Sequence, residues 1–210
     1  FAALARDLHE RPTRVEEIIP DEPTGIGAVD ASGNGMGGVW FVPGKRPLVW
    51  RRQFDPAVKA SLVTATHPRG TVNNSDLELA GLVAHQDVLA QHVDVDLLTF
   101  AILGDNAASL SWARKGSTTT TKPPQHLLRL AALHQRHFRV IHTYDHIAGV
   151  ANVMADDASR LWDLNDVAFL SHFNSQYPQS KPWKLCPLRN AMHSGLTSCL
   201  LGRQAHMPSV

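Results

Sequence analysis

The spacing of apolar residues changes period several times along the chain, and each change marks an element. Strand-like runs occupy residues 25–32, 36–42 and 48–54. Ser32-Gly33-Asn34-Gly35 separates the first two, and Pro43-Gly44-Lys45-Arg46-Pro47 separates the second from the third. Both separators have turn chemistry, so the three runs predict an antiparallel meander. Helical period follows. Leu77, Ala80, Gly81, Ala84 and Val88 form one stripe with Leu79, Leu82 and Val83 beside it, predicting a helix over 76–91. Residues 97–103 are almost continuously apolar, as expected of a central strand covered on both faces. Beyond it the pattern predicts helices over 106–114 and 124–137, a strand over 138–146 and a closing helix over 152–161, with a Thr-rich connector at 117–121. The order βββαβααβα adds parallel strands to a meander. The predicted class is therefore α/β: a mixed five-stranded sheet, a three-stranded antiparallel meander plus two parallel strands, flanked by helices.

Outside this core the pattern weakens. Residues 1–24 pass from a short helical stretch (2–10) into Arg11-Pro12 and the charged Pro20-Asp21-Glu22-Pro23, and read as a linker. Residues 162–210 carry scattered Trp, Phe and Leu with repeated Pro, and no chemistry is legible there. The expected organisation is a linker (1–24), one domain (25–161) and a C-terminal extension (162–210). A length of 210 residues suits one catalytic unit with extensions better than two full domains.

Composition narrows the function classes. A net charge of +1 with 19% charged residues is not that of a dedicated polyanion binder, so any nucleic-acid contact must come from a local patch. Cys186 and Cys199 stand without a second pair, which supports neither a disulfide framework nor a zinc ribbon, and a reducing intracellular setting, cytoplasm or nucleus, is expected. No apolar run approaches the ~20 residues of a membrane span, and no signal-peptide layout is present. The chain starts at Phe1 rather than Met, from which a piece of a longer polypeptide is expected.

Four acidic residues carry the candidate chemistry. Asp30 lies near the end of the first strand among small and apolar neighbours, where an unpaired carboxylate is costly unless it binds metal. Asp105 ends the apolar strand, at the edge where open α/β sheets place ligands. Each acid also has a local explanation. Asp105 or Asn106 can cap the next helix, and Asp30 can open the Ser-Gly-Asn-Gly turn. Ser75-Asp76-Leu77-Glu78 has capping-box spacing, with Ser75 and Glu78 exchanging bonds with backbone amides. Asp156 can be a solvated helix residue beside Asp157. What these local roles leave unexplained is all four acids in this order on strand, helix, strand end and helix.

The segments Val29-Asp30-Ala31-Ser32, Ser75-Asp76-Leu77-Glu78-Leu79, Gly104-Asp105-Asn106 and His146 through Arg160 together resemble the successive motifs of the ribonuclease H domain of retrotransposon reverse transcriptases. The last segment is similar to the family signature His-x-Pro-Gly-x-x-Asn-x-x-Ala-Asp-x-x-Ser-Arg, with Ala148 in place of the usual Pro. The resemblance covers about residues 25–160. It implies that Asp30, Glu78, Asp105 and Asp156 hold two Mg2+ ions, with Mn2+ as a substitute, and that His146 assists protonation or product release. It implies an RNA–DNA hybrid as substrate and an upstream reverse transcriptase domain in the same polyprotein, to which the linker leads. The connector 116–123 carries only Lys122, with Lys115 just before it, so the basic protrusion that some relatives use to hold hybrid is absent.

The residue types fit such chemistry. Magnesium prefers hard oxygen ligands, and two ions ~4 Å apart can serve both ends of an in-line displacement. Sparing DNA requires contact with 2′-hydroxyls, for which Ser32, Gly33, Asn34 and Asn106 are candidates. Trp112, Arg114 and Lys115 could form an aromatic-basic surface for the DNA strand, although Trp112 equally suits the core. His134, His137, His142 and His146 lack a Glu or Cys to complete a zinc site. Two rivals follow: a non-enzymatic ribonuclease H-like connection module, and a nuclease or transposase of the same superfold acting on DNA.

Overall fold

The computed structural model describes residues 9, 12, 15–17, 19–120 and 122–206. Most of the stretch 2–10 read as helical lies outside them. The meander forms as predicted: β1 (Gly25–Ala31), β2 (Gly35–Phe41) and β3 (Leu48–Gln53) pair antiparallel, Asp30 opposite Gly37 and Gly37 opposite Arg51. β4 (Thr99–Gly104) lies parallel to β1, and β5 (Ile141–His146) parallel to β4. A two-residue strand from the C-terminal extension, β6 (Lys184–Leu185), adds a sixth member beside β3, giving the order β5-β4-β1-β2-β3-β6.

The helices are α1 (Pro56–Ala60), α2 (Asn74–His92), α3 (Ala107–Lys115), α4 (Pro123–Phe138), α5 (Val153–Arg160), α6 (Asp166–Gln176) and α7 (Asn190–Leu200). The sequence pattern had not marked α1, α6 or α7. Two glycines show which helix covers which sheet face. A Cβ on Gly27 would fall 2.3 Å from His85 of α2, and one on Gly37 would fall 2.5 Å from the backbone of Ala158 on α5. Both positions need a bare backbone so that a helix can approach the sheet closely.

On the α2 side, Val29, Met36, Trp40, Trp50, Phe100 and Ile102 pack with α2, α4 and α7 as the main core. On the other side, Val39, Val49, Ala158, Phe169, Phe173 and Trp183 form a second core. Helix α2 is buried continuously from Asp76 to Leu89 because it lies between the sheet and α4 and α7, so its polar residues need internal partners. Trp50 donates to His85 Nδ1 (2.8 Å), and Gln86 donates to the Tyr144 hydroxyl (2.7 Å). Arg189 at the start of α7 grips the carboxylate of Asp87 through both Nε and Nη2.

The start of α2 corrects the capping expectation. Asn73 is the N-cap, its side chain accepting from Asp76 N (3.1 Å) while Asp76 Oδ2 accepts from Asn73 N (2.9 Å). The box sits two residues earlier than Ser75–Glu78, and Glu78 is released from capping.

Candidate metal centre

Asp30 projects from β1 toward α5 with 3% of its surface exposed. Burial raises the pKa of its carboxyl, a bond from the Ser159 hydroxyl opposes the rise, and the charges of Asp105 and Asp156 add to it. Glu78, one turn into α2, is pushed up to about 9, first by burial and then by the charges of Asp30 and Asp105. Asn74 Nδ2 reaches its Oε1 at 3.5 Å. Asp105 follows β4 directly and stays half-buried. It does not cap α3, since Asn106 does so, accepting from Ser109 N at 3.0 Å. Gly149, in a 3-10 turn before α5, passes so close that a Cβ there would lie 3.0 Å from Asp105 Oδ2.

One oxygen from each of Asp30, Glu78 and Asp105 lies within 4.8 Å of the others, and this is the one His/Cys/Asp/Glu group of ligand spacing among the described residues. Three chain-distant acids are thus gathered by the β1–β4 pairing and by α2 crossing the sheet. Asp156, in the first turn of α5, is near enough to raise the Asp30 pKa but stands outside this group, its Oδ1 accepting from Arg160 Nε. Asp157 points elsewhere, accepting from the Tyr177 hydroxyl (2.8 Å) and lying 2.9 Å from His172 Nε2.

The remaining candidates surround the cluster unevenly. His146 is exposed at the end of β5, opposite Gly104, the neighbour of Asp105. Ser32 is buried, and its hydroxyl donates to the Ser159 carbonyl (2.8 Å), so it holds structure rather than facing solvent. Gly33 and Asn34 are exposed on the β1–β2 turn, and the Asn106 side chain is occupied as a cap. Arg114 donates to the Tyr144 carbonyl (2.6 Å) and to Asp145 (3.1 Å), with Lys115 exposed beside it. Trp112 packs against the main core. His134 and His142 are buried, and burial lowers both ring pKa values: at His134 the Asp87 carboxylate, 3.4 Å from Nε2, opposes the fall, while His142 is pushed down to about 3 by burial first and then by His134. Sequence reasoning passed over the tasks of Asn152 and Ser159. Asn152 donates from its side chain to the Val29 carbonyl (3.1 Å), and Ser159 donates to Asp30 Oδ2. Their presence in the signature segment was the available signal.

Fold and site together define a class: an α/β domain whose mixed sheet gathers buried carboxylates at the C-terminal ends of its parallel strands. No family model and no curated protein matches the sequence. Among solved structures, the chain is similar to the ribonuclease H1 LC11 isolated from compost, at 14% identity over 65% of this chain and 93% of that one, with a TM-score of 0.47. The same enzyme in complex with RNA/DNA hybrid matches at 14% identity over 64% and 92%, TM-score 0.47. Ribonuclease H1 from the archaeon Halobacterium salinarum matches at 17% identity over 67% and 98%, TM-score 0.42. The topology described above stands on its own strand pairings, independently of these likenesses. Among the described residues no helix is long and apolar enough to cross a membrane.

Proposed function

We infer that the chain is a metal-dependent endoribonuclease of the ribonuclease H type, which hydrolyses the RNA strand of RNA–DNA hybrids made by a reverse transcriptase domain of the same retroelement polyprotein. The observation that carries the reading is the convergence of Asp30, Glu78 and Asp105 within 4.8 Å at a largely buried place. Like charges so placed oppose folding unless a proton or a cation offsets them. The all-oxygen donor set suits Mg2+, or Mn2+ in its place, better than a soft metal. Asp30, Glu78 and Asp105 would hold the ions, joined by Asp156 once it leaves Arg160. Such ions supply an activated water and charge stabilisation at the leaving 3′ oxygen.

The protein's own residues do the rest. His146 stands exposed at the rim, where it can hand a proton to the departing oxygen. The backbone at Gly33 and Asn34, with Ser32 and Asn106 shaping the two loops, offers polar groups to the ribose 2′-hydroxyl. Arg114 and Lys115 present positive charge to a phosphate backbone. The retroelement setting rests on the signature from His146 to Arg160.

The test is cleavage of an end-labelled hybrid beside matched duplex DNA and duplex RNA, with Mg2+ and with chelator. Cutting of the RNA strand of the hybrid alone, only with metal and leaving 5′-phosphates, is expected. Equal cutting of duplex DNA would transfer the chain to the DNA-acting nucleases. No cutting together with no metal binding would leave a structural module.

A further inference from the structure

Ser159 lies on α5 with none of its surface exposed, and its hydroxyl has two acceptors within reach. One is the carbonyl of Asp156 a turn earlier, at 3.1 Å; the other is Asp30 Oδ2, at 2.5 Å. A hydroxyl has a single proton, and the bond to the carboxylate is the stronger. The proton therefore goes to Asp30. The docking of α5 does not depend on that bond. Ser32 donates to the Ser159 carbonyl, Asn152 donates to the Val29 carbonyl, and Gly37 lets the Ala158 backbone lie directly on β2.

We propose that Ser159 is a positioning residue of the metal centre: its buried hydroxyl ties one oxygen of Asp30 so that the carboxylate stands in a single orientation toward Glu78 and Asp105 before any ion arrives. The proposal rests on the metal-site reading above and adds to it a residue that touches neither metal nor substrate. The physical need is specific to this cluster. Carboxyl groups at close range repel as they ionise, and an untethered Asp30 side chain would relieve the repulsion by rotating away. A fixed donor on one oxygen blocks that rotation, so binding an ion does not also have to reorder the ligand. Donors that orient metal ligands typically govern ten- to hundredfold in metal affinity or activity. Among the described residues, the Ser159 hydroxyl is the one side chain hydrogen-bonded to Asp30.

The test compares the parent chain with Ser159→Ala, which removes the donor, and Ser159→Cys, which keeps about the same volume with a weak donor. Asp157→Asn serves as a variant that loosens α5 from α6 without touching Asp30. Mg2+ binding is measured by calorimetry in the absence of nucleic acid, alongside kcat and KM on hybrid and the metal-free Tm. Both Ser159 variants should weaken Mg2+ binding about tenfold or more and lower kcat at subsaturating Mg2+, with KM for hybrid little changed. Asp157→Asn should lower Tm and leave Mg2+ affinity at the parent value. Ser159 variants that bind Mg2+ as the parent does, losing only Tm, would overturn the proposal and leave Ser159 a packing residue. A parent chain that binds no Mg2+ would overturn the metal-site reading itself, and this inference with it.

Discussion

Glu78 is the residue at which local and tertiary roles separate. Asn73 and Asp76 make the capping box, so the Glu78 carboxyl turns into the cluster, where burial and two like charges lift it to about 9. The consequence for stability has a definite sign. A glutamate raised above its ordinary 4.5 stays protonated in the folded protein while the unfolded chain has already released the proton. Its contribution is fully present below about 4.5 and is lost as pH rises through about 9. The metal-free protein should therefore lose Tm as pH rises across that window, and Glu78→Gln should flatten the slope; thermal melts in chelator across pH 5–9 check this. Mg2+ competes with the same proton, so its affinity should climb with pH. Asp105 gives a second prediction at this scale. Because Asn106 caps α3, replacing Asp105 costs no cap. Asp105→Asn without metal should melt at the same or a higher temperature than the parent. The parent alone should gain strongly with millimolar Mg2+, as a ligand that binds only the folded state stabilises it. Equal Mg2+ gains in both proteins would remove Asp105 from the ligand set.

Helix α5 shows how an element divides two adjacent acids between two tasks. Consecutive helix positions differ by ~100° in direction, so Asp156 turns toward Asp30 and Arg160 while Asp157 turns to Tyr177 and His172 of the extension. Asp156→Asn should abolish cleavage with little loss of stability. Asp157→Asn should keep cleavage and cost about 1 kcal/mol through the weakened contacts to α6. Hybrid cleavage and urea melts of the two variants settle the assignment, and the reverse pattern would shift the ligand by one residue. At this scale much was legible in advance. The turn residues between β1, β2 and β3 announced the meander, and the unbroken apolar run at 97–103 announced β4, because backbone propensity and burial pattern act locally. Helices α6 and α7 were not read from the sequence, although helical spacing is there: Phe169 and Phe173 stand four apart, and Met192, Leu196 and Cys199 four and three apart, each set on one buried helix face, among the Pro residues and scattered aromatics of 162–210.

At the scale of the whole molecule, residues 162–206 are built into the same body as the sheet. β6 extends it beyond β3, Trp183 is fully buried between β2 and α6, and Arg189 covers the buried carboxylate of Asp87 in the middle of α2. Removing the guanidinium leaves the buried Asp87 carboxylate facing His134 Nε2 at 3.4 Å, a weaker partner, so Arg189→Ala should cost about 3 kcal/mol in urea unfolding. A chain ending at residue 161 should lose cooperative unfolding altogether, since it exposes the second core as well; a truncated chain that melts like the parent would show the extension to be dispensable. What the sequence determined by itself was the class of fold and the four places from which acids could converge, since periodicity, turn chemistry and strand-end position are properties of short segments. Which acids converge was decided only by the tertiary structure. The β1–β4 register, the depth of α2 and the close approach of α5 at Gly37 bring Asp30, Glu78 and Asp105 together, leave Asp156 with Arg160 and hand Asp30 to Ser159. Those are contacts between residues far apart in the chain, and they depend on how whole elements pack rather than on any local pattern.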